Sequence, residues 1–271
     1  MQHGHVRRKK EQFSQNNLSS LVLRERATIE KGVGVTKVTT KILIMGYSIA
    51  IDGPAGAGKS TIAKEVAKKL GFIYVDTGAM YRAMALFFLR RGISSEDTKR
   101  IEEECEQVNI SIQYQQGVQV VLLNGENVNH LIRTEEVGKM ASATSTNGQV
   151  RRKLVALQQE LAQSCCVVMD GRDIGTCVLP SADVKVYLTA DSKVRAKRRY
   201  LELKEKGEVC DLNTIEEDIK ARDLQDMNRK ISPLRQAQDA VLIDSSQLSP
   251  QEVMEKIYLL VQETGYRENE E

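Results

Sequence analysis

The sequence predicts an α/β fold: a five-stranded parallel sheet covered by helices on both faces, with a small antiparallel β insertion and an arginine-rich helical lid. Three observations predict it. From residue 45 onward, short apolar runs of strand length alternate with longer stretches of helical periodicity, the pattern of strands buried on both faces. The first such run leads through a glycine-rich turn straight into a helix. Near the middle of the chain, two β-runs around turn residues break the alternation.

Composition sets the outer bounds. With 271 residues, 41% hydrophobic and 28% charged, the chain has the make-up of an ordinary globular protein long enough for a sizeable core. A collagen, a wholly disordered chain and a membrane protein are excluded, since the longest uncharged apolar stretch, 42–51, is about half of the roughly 20 residues that cross a bilayer. The five cysteines are odd in number, form no CxxC pair and follow no secretory signal, so a reducing cytoplasm is the expected setting. Cys165 and Cys166 abut a strand and are expected to be inert. His3 and His5 lie at the extreme N-terminus and His130 stands alone, which argues against a histidine triad or a His/Cys zinc site. Residues 1–44 hold nine Lys/Arg against three Glu, a net +6, which leaves residues 45–271 at −4. For a mildly acidic body to bind any anion, it would have to gather its arginines in one place.

Taken in order, residues 1–44 are expected to be mostly disordered, with a short helix around 18–23. They read either as a nucleic-acid arm or targeting peptide or, the reading adopted, as an upstream extension without a role ahead of Met45. Strand 47–52 then leads into helix 59–70, and strand 73–76 into helix 79–91. The insertion, 107–131, contains β-runs at 108–113 and 119–124 around a Gln-Gly turn, then Asn124-Gly125 and a third short run near Val128. Helices 133–145 and 149–163 precede strand 166–170, and strand 184–188 precedes helices 192–206 and 214–228. Strand 240–244 and helix 250–264 close the sheet. The lid spans 192–232.

The turn after the first strand, Gly53-Pro54-Ala55-Gly56-Ala57-Gly58-Lys59-Ser60, matches G-x-x-x-x-G-K-[ST] without a mismatch. In such a P-loop the backbone N–H groups curl around phosphate oxygens at a helix N-terminus, Lys59 reaches the β- and γ-phosphates, and Ser60 offers its hydroxyl to Mg²⁺. No D-x-x-G or N-K-x-D follows, which argues against a GTPase, and about 210 residues are few for a motor domain.

Candidates for the acceptor side lie beyond the next strand ends. Asp76-Thr77-Gly78 is expected to form a turn, with Arg82 about one helical turn further on, either aimed at the sheet's C-terminal edge or simply exposed. Asp170 follows an apolar run in the Walker B manner and would stand near Mg²⁺. Arg172 and Asp173 come next, fit to bind a phosphate and a base amine respectively, or to pair with each other. A charged set follows at Arg195, Lys197, Arg198 and Arg199. Arg222, Asp226 and Arg229, spaced i, i+4, i+7, would share one helix face, as a solvated ion-paired surface or as a lid over phosphates.

With these pieces placed, the sequence resembles the bacterial cytidylate kinases, members of the nucleoside monophosphate kinase family, from about Ser48 to Tyr266. The motifs carrying the resemblance are IDGPAGAGKST at 51–61, DTGAMYR at 76–82, IRTEEV at 132–137, DGRDIGT at 170–176 and ARDLQDMNRKISPL at 221–234, of which the DGRD-GT and RD...D.NR blocks are the specific part. The resemblance implies Mg²⁺- and ATP-dependent phosphorylation of CMP and dCMP, with the β insertion in the monophosphate-binding region. It implies ATP contacts through Gly53 to Thr61. Lys59, Arg172, Arg222 and Arg229 would act in catalysis, and Ser60 and Asp170 at the metal. By position, Arg82 and Arg172 look like ligands of the acceptor phosphate. Thr77, Arg151, Asp173 and Arg229 look like residues around the cytosine, and Ser142, Arg222 and Asp226 like sugar contacts. A carboxylate such as Asp173 suits cytosine's exocyclic amine over uracil's carbonyl. Thr77 and Ala55 stand where some members have Ser. A monomer without nucleic-acid or membrane partners is expected. Two other readings are a related small kinase acting on UMP, another nucleotide or a non-nucleotide alcohol, and a nucleotide-binding module that binds RNA through the basic arm.

Overall fold

The computed structural model describes residues 22–24, 42–44, 46–115 and 118–266. Two three-residue strands, β1 (Val22–Arg24) and β2 (Ile42–Ile44), pair antiparallel. Val22 and Leu23 are therefore extended where a short helix was expected, because the backbone of 42–44 offers them a partner that a weak periodicity does not outweigh. The rest of the expected N-terminal disorder lies outside the described residues.

The main body opens with β3 (Ser48–Asp52), α1 (Lys59–Leu70), β4 (Ile73–Asp76), α2 (Thr77–Arg90) and α3 (Thr98–Cys105). The insertion supplies β5 (Ile110–Gln115), β6 (Val118–Leu123) and β7 (Glu126–Asn127), and α4 (Glu135–Thr144) and α5 (Gly148–Ser164) follow. After β8 (Val167–Gly171) comes a π-helical turn, Ile174–Val178, and then β9 (Val184–Thr189), α6 (Ser192–Glu205), α7 (Leu212–Met227), β10 (Val241–Asp244) and α8 (Pro250–Glu263).

All five expected strands form one parallel sheet in the order β10-β9-β3-β8-β4. Its strands alternate as buried strands should. Ile49 and Ile51 of β3, with Cys166 and Val168 leading into and along β8, join the core under α1 and α8. Ala50, Val167 and Met169 face the other core, which α2, α5 and the insertion cover. Each fully buried Ile or Val contributes about 2 kcal/mol. No helix among the described residues is long and apolar enough to cross a membrane.

Two helix boundaries and one additional helix differ from expectation. Asp76 caps α2 by accepting from Ala79 N at 2.8 Å, so Thr77 and Gly78 are the helix's own first turn and not a separate loop. Helix α3 was not foreseen, because its buried face consists only of Ile101 and Cys105 in a run of charges. Helix α7 ends at Met227, which leaves Arg229 beyond it. In the insertion, β6 pairs antiparallel with both β5 and β7, and Asn124 and Gly125 take φ of 51° and 88° in the expected tight turn to β7. The expected Gln-Gly turn lies outside the described residues. A side chain fastens this small sheet to edge strand β4: Gln119 Oε1 accepts from Asp76 N at 2.8 Å, and Gln119 Nε2 donates to Asp76 O at 3.3 Å. The amide thus completes the hydrogen bonding of a buried strand end.

Candidate active site

Strand register builds the floor of the site. Ile51 pairs with Asp170, Asp52 with Gly171, and Asp76 with Asp170, so three carboxylates line the C-terminal edge of β3, β8 and β4. Here the chain leaves central β3 for β4 on one side and places β9 on the other, the switch point where ligands bind in open α/β sheets.

The P-loop wraps this edge. Gly53 has φ of 150°, and a Cβ there would lie 1.9 Å from Leu188 O, so no side chain fits. Gly58, at φ 89°, starts α1. The buried Lys59 donates from Nζ to Pro54 O at 2.7 Å, which curls its side chain over the loop. Burial first, and then the Arg172 guanidinium, push its ammonium below the ordinary lysine range. Thr61 is exposed on the first turn of α1.

Ser60 Oγ and Tyr74 OH donate to the two oxygens of Asp170, both at 2.8 Å. Burial, and next the facing Asp76, push the Asp170 carboxyl up. A carboxylate whose charge is this costly, sharing a hydroxyl at the mouth of a P-loop, has the hard oxygen donors that suit Mg²⁺. The described residues hold no cluster of three or more His, Cys, Asp or Glu placed to hold a metal ion.

Several arginines meet beyond the end of β4. The guanidinium of Arg82 is pushed down by burial and then by Arg133, with Arg222 and Arg172 adding to the repulsion and Asp76 opposing it. Asp76 Oδ2 in turn accepts from Arg133 Nη2 at 2.5 Å. Such a concentration of positive charge suits an anionic ligand. Thr77 donates to Asp170 O at 2.7 Å, tying the ends of β4 and β8 together.

Arg172 and Asp173 do not pair with each other. Arg172 Nε donates to Asp226 Oδ2 at 2.7 Å, and Arg229 Nη2 donates to Asp226 Oδ1. The buried Asp173 instead accepts from the buried Arg151 through Oδ2. Tyr81 OH and Arg229 Nε are buried without a hydrogen-bond partner, and burial pushes the Tyr81 phenol up to about 12.

The expected helix face of Arg222, Asp226 and Arg229 is corrected. Arg229 reaches back from beyond the helix, while Arg222 is exposed near Arg82 instead of paired with Asp226. Ser142 lies at the rim, its Oγ 3.5 Å from Gln225 Oε1 of α7.

Sequence reasoning missed roles for Asp52, Tyr74, Gln119 and Arg133. Arg195 was noticed only as one of four cations, and of those four it alone is buried. It donates to Ala55 O at 2.9 Å, to Ala190 O at 2.8 Å and to Asp223 Oδ2 at 2.6 Å, binding the P-loop, the end of β9 and α7 together. Asp52 accepts from Ile174 N and Gly175 N, both at 2.7 Å.

A family model described as cytidylate kinase matches residues 49–263, the sheet and its helices but for Ser48. The chain is 53% identical over 210 residues to the cytidylate kinase of Caldicellulosiruptor saccharolyticus, covering 78% of this chain and 93% of that protein. Against the cytidylate kinase of Bacillus cereus it is 47% identical over 214 residues, covering 79% and 95%. A shikimate kinase structure from Acinetobacter baumannii overlays at a TM-score of 0.40 with 16% identity, over 82% of this chain and 96% of that one, too distant to bear on function. The chain belongs to the cytidylate kinase family.

Proposed function

We propose that this protein transfers the γ-phosphoryl group of ATP to CMP and dCMP, giving CDP and dCDP. The observation that carries this reading is the buried Arg151–Asp173 pair, set beside the phosphate-seeking Arg172 and opposite an intact P-loop. Residues 45–271 act as the catalytic body, with 107–131 covering the monophosphate and 192–232 as the lid.

ATP lies along Gly53 to Thr61, its phosphates against the loop amides and Lys59. The acceptor phosphate sits among Arg82 and Arg172, and its sugar meets Ser142, Arg222 and Asp226. Cytosine lies against Thr77, Arg151, Asp173 and Arg229. Arg151 occupies one oxygen of Asp173, and the remaining lone-pair capacity of the carboxylate suits the exocyclic amine of cytosine. Uracil would present a carbonyl oxygen to the same acceptor, at a cost in transition-state binding.

In the chemical step an acceptor phosphate oxygen bonds to the γ-phosphorus while the bond from that phosphorus to the β–γ bridging oxygen breaks, and ADP departs with the electron pair. The nucleophile is already anionic, so no histidine base is needed. Lys59, Arg172, Arg222 and Arg229 follow the charge as it spreads over the transferring oxygens. Ser60 and Asp170 would hold Mg²⁺, which when bound neutralises charge on the phosphates. The protein acts as a monomer in a reducing cytoplasm, the setting that an odd number of cysteines without a CxxC pair suits.

The test is steady-state phosphorylation of CMP, dCMP and UMP with Mg-ATP, run beside Asp173→Ala and a chain starting at Met45. CMP and dCMP should be preferred, Asp173→Ala should lose that preference, and the shortened chain should keep full turnover. Equal use of UMP, or no turnover of any monophosphate, overturns the reading.

A further inference from the structure

Among the described residues, α-helices that begin after an aspartate are capped by that aspartate. Asp76, Asp97, Asp191 and Asp211 each accept a hydrogen bond from an amide in the first turn that follows. Asp173 is the exception: it precedes the π-helical turn Ile174–Val178 but makes no side-chain capping bond. Its carboxylate goes to Arg151.

The first amides of that turn are satisfied from elsewhere. Asp52, the last residue of β3, accepts from Ile174 N through Oδ1 and from Gly175 N through Oδ2, each at 2.7 Å, and is itself buried. A Cβ at Gly175 would stand 3.2 Å from Lys185 Cδ and 3.4 Å from Asp52 Oδ2, so the glycine keeps this approach open. Two buried N–H groups need acceptors. Without Asp52, the carboxylate of Asp173 is the acceptor that an N-cap position ordinarily supplies, and it can serve them only by turning toward the turn, at the expense of the Arg151 bond or of the oxygen left for the base.

We propose that Asp52 is a positioning residue for the acceptor base: by capping the turn in place of Asp173, it keeps the Asp173 carboxylate with Arg151 and directed at the nucleobase. This rests on the reading of Asp173 as the cytosine-selecting group. Asp52 touches neither nucleotide in this scheme, and its effect reaches the substrate through Asp173.

The test compares the full-length protein with Asp52→Asn, Asp52→Ala and Asp173→Ala. It measures kcat and KM for CMP, UMP and ATP, and the hydrogen exchange of the Ile174 and Gly175 amides. Asp52→Ala should lower the CMP-over-UMP preference about tenfold or more, chiefly through KM for CMP, with KM for ATP little changed. Asp52→Asn keeps one carbonyl acceptor and should fall between, and both amides should exchange faster in each variant. Should the alanine variant fail to fold, the asparagine variant decides. A general loss of turnover with the CMP-over-UMP ratio intact, or two amides still fully protected, overturns the inference and leaves the base reading standing. Equal use of CMP and UMP by the unaltered protein overturns the base reading, and this inference with it.

Discussion

Replacing Asp226 by alanine removes one carboxylate that holds two arginines. Only 2% of the residue is exposed; Oδ2 accepts from Arg172 Nε at 2.7 Å and Oδ1 from Arg229. Each charge-assisted hydrogen bond contributes about 1.5–3 kcal/mol. Their loss also leaves two like charges close together, for Arg172 lies near enough to Arg229 to oppose its charged form, which Asp226 supports. Arg172, with 26% of its side chain exposed, regains some hydration, whereas Arg229 at 8% regains little. A net loss of about 3–5 kcal/mol is expected, the cost of breaking a buried pair from one side. Taken entirely as stability, that lowers Tm by roughly 6–20 °C in a chain of this size. Taken as misplacement of two arginines at the transferring phosphoryl group, it lowers kcat/KM by roughly 10²- to 5 × 10³-fold. Thermal melts with steady-state rates on CMP divide the loss between the two, and Asp226→Asn, which keeps an acceptor for one arginine, should fall between. An alanine variant that melts within about 2 °C of the parent and keeps kcat/KM within about threefold would refute the reasoning.

Gly53→Ala should abolish the fold or destabilise it by more than about 4 kcal/mol, because its Cβ would stand 1.9 Å from Leu188 O and both strands would have to part; a soluble, active variant would contradict the geometry. The Asp52 carboxyl is pushed up to about 6 by burial, against the opposing pull of the Gly175 and Ile174 amides, so carboxyl-carbon NMR should show a midpoint near that pH, and one below about 4 would sink the argument. Between about pH 4 and 6 the folded chain then keeps a proton there that the unfolded chain has released. Stability falls as pH rises through that window, by up to about 3 kcal/mol, and Asp52→Asn should flatten this part of the profile.

The sheet was legible because its information is local. Each of the five strands is a short apolar run, and alternation alone assigns Ile49 and Ile51 to one core and Ala50 to the other. The P-loop was legible because its glycines and Lys59-Ser60 lie in one unbroken stretch. Helix α3 escaped notice because an eight-residue helix with two buried positions carries little periodicity. The pairings within the site escaped for another reason. Arg151 meets Asp173, and Arg195 meets Ala55, across the fold, and spacing in sequence holds no record of which carboxylate or carbonyl a given arginine will find. Local spacing left an Arg172–Asp173 pair open only as an alternative, which does not form, and placed Arg222 and Arg229 on one helix face, which the end of α7 at Met227 breaks.

Those pairings resolve a difficulty visible in the composition. A body of net charge −4 that is to bind two phosphorylated nucleotides must hold many guanidiniums close together, and their mutual repulsion opposes folding. The structure meets this by giving five of these arginines carboxylate partners: Arg133 with Asp76, Arg151 with Asp173, Arg172 and Arg229 with Asp226, and Arg195 with Asp223. Buried pairs of this kind add little net stability over apolar packing, so what they contribute is orientation. Asp223 and Asp226 both belong to α7. The position of that one helix therefore sets the direction of three arginines at once, two on the acceptor side and one that grips the P-loop backbone at Ala55. The placement of α7 and the alignment of the positive charge that phosphoryl transfer requires are, on this geometry, one degree of freedom.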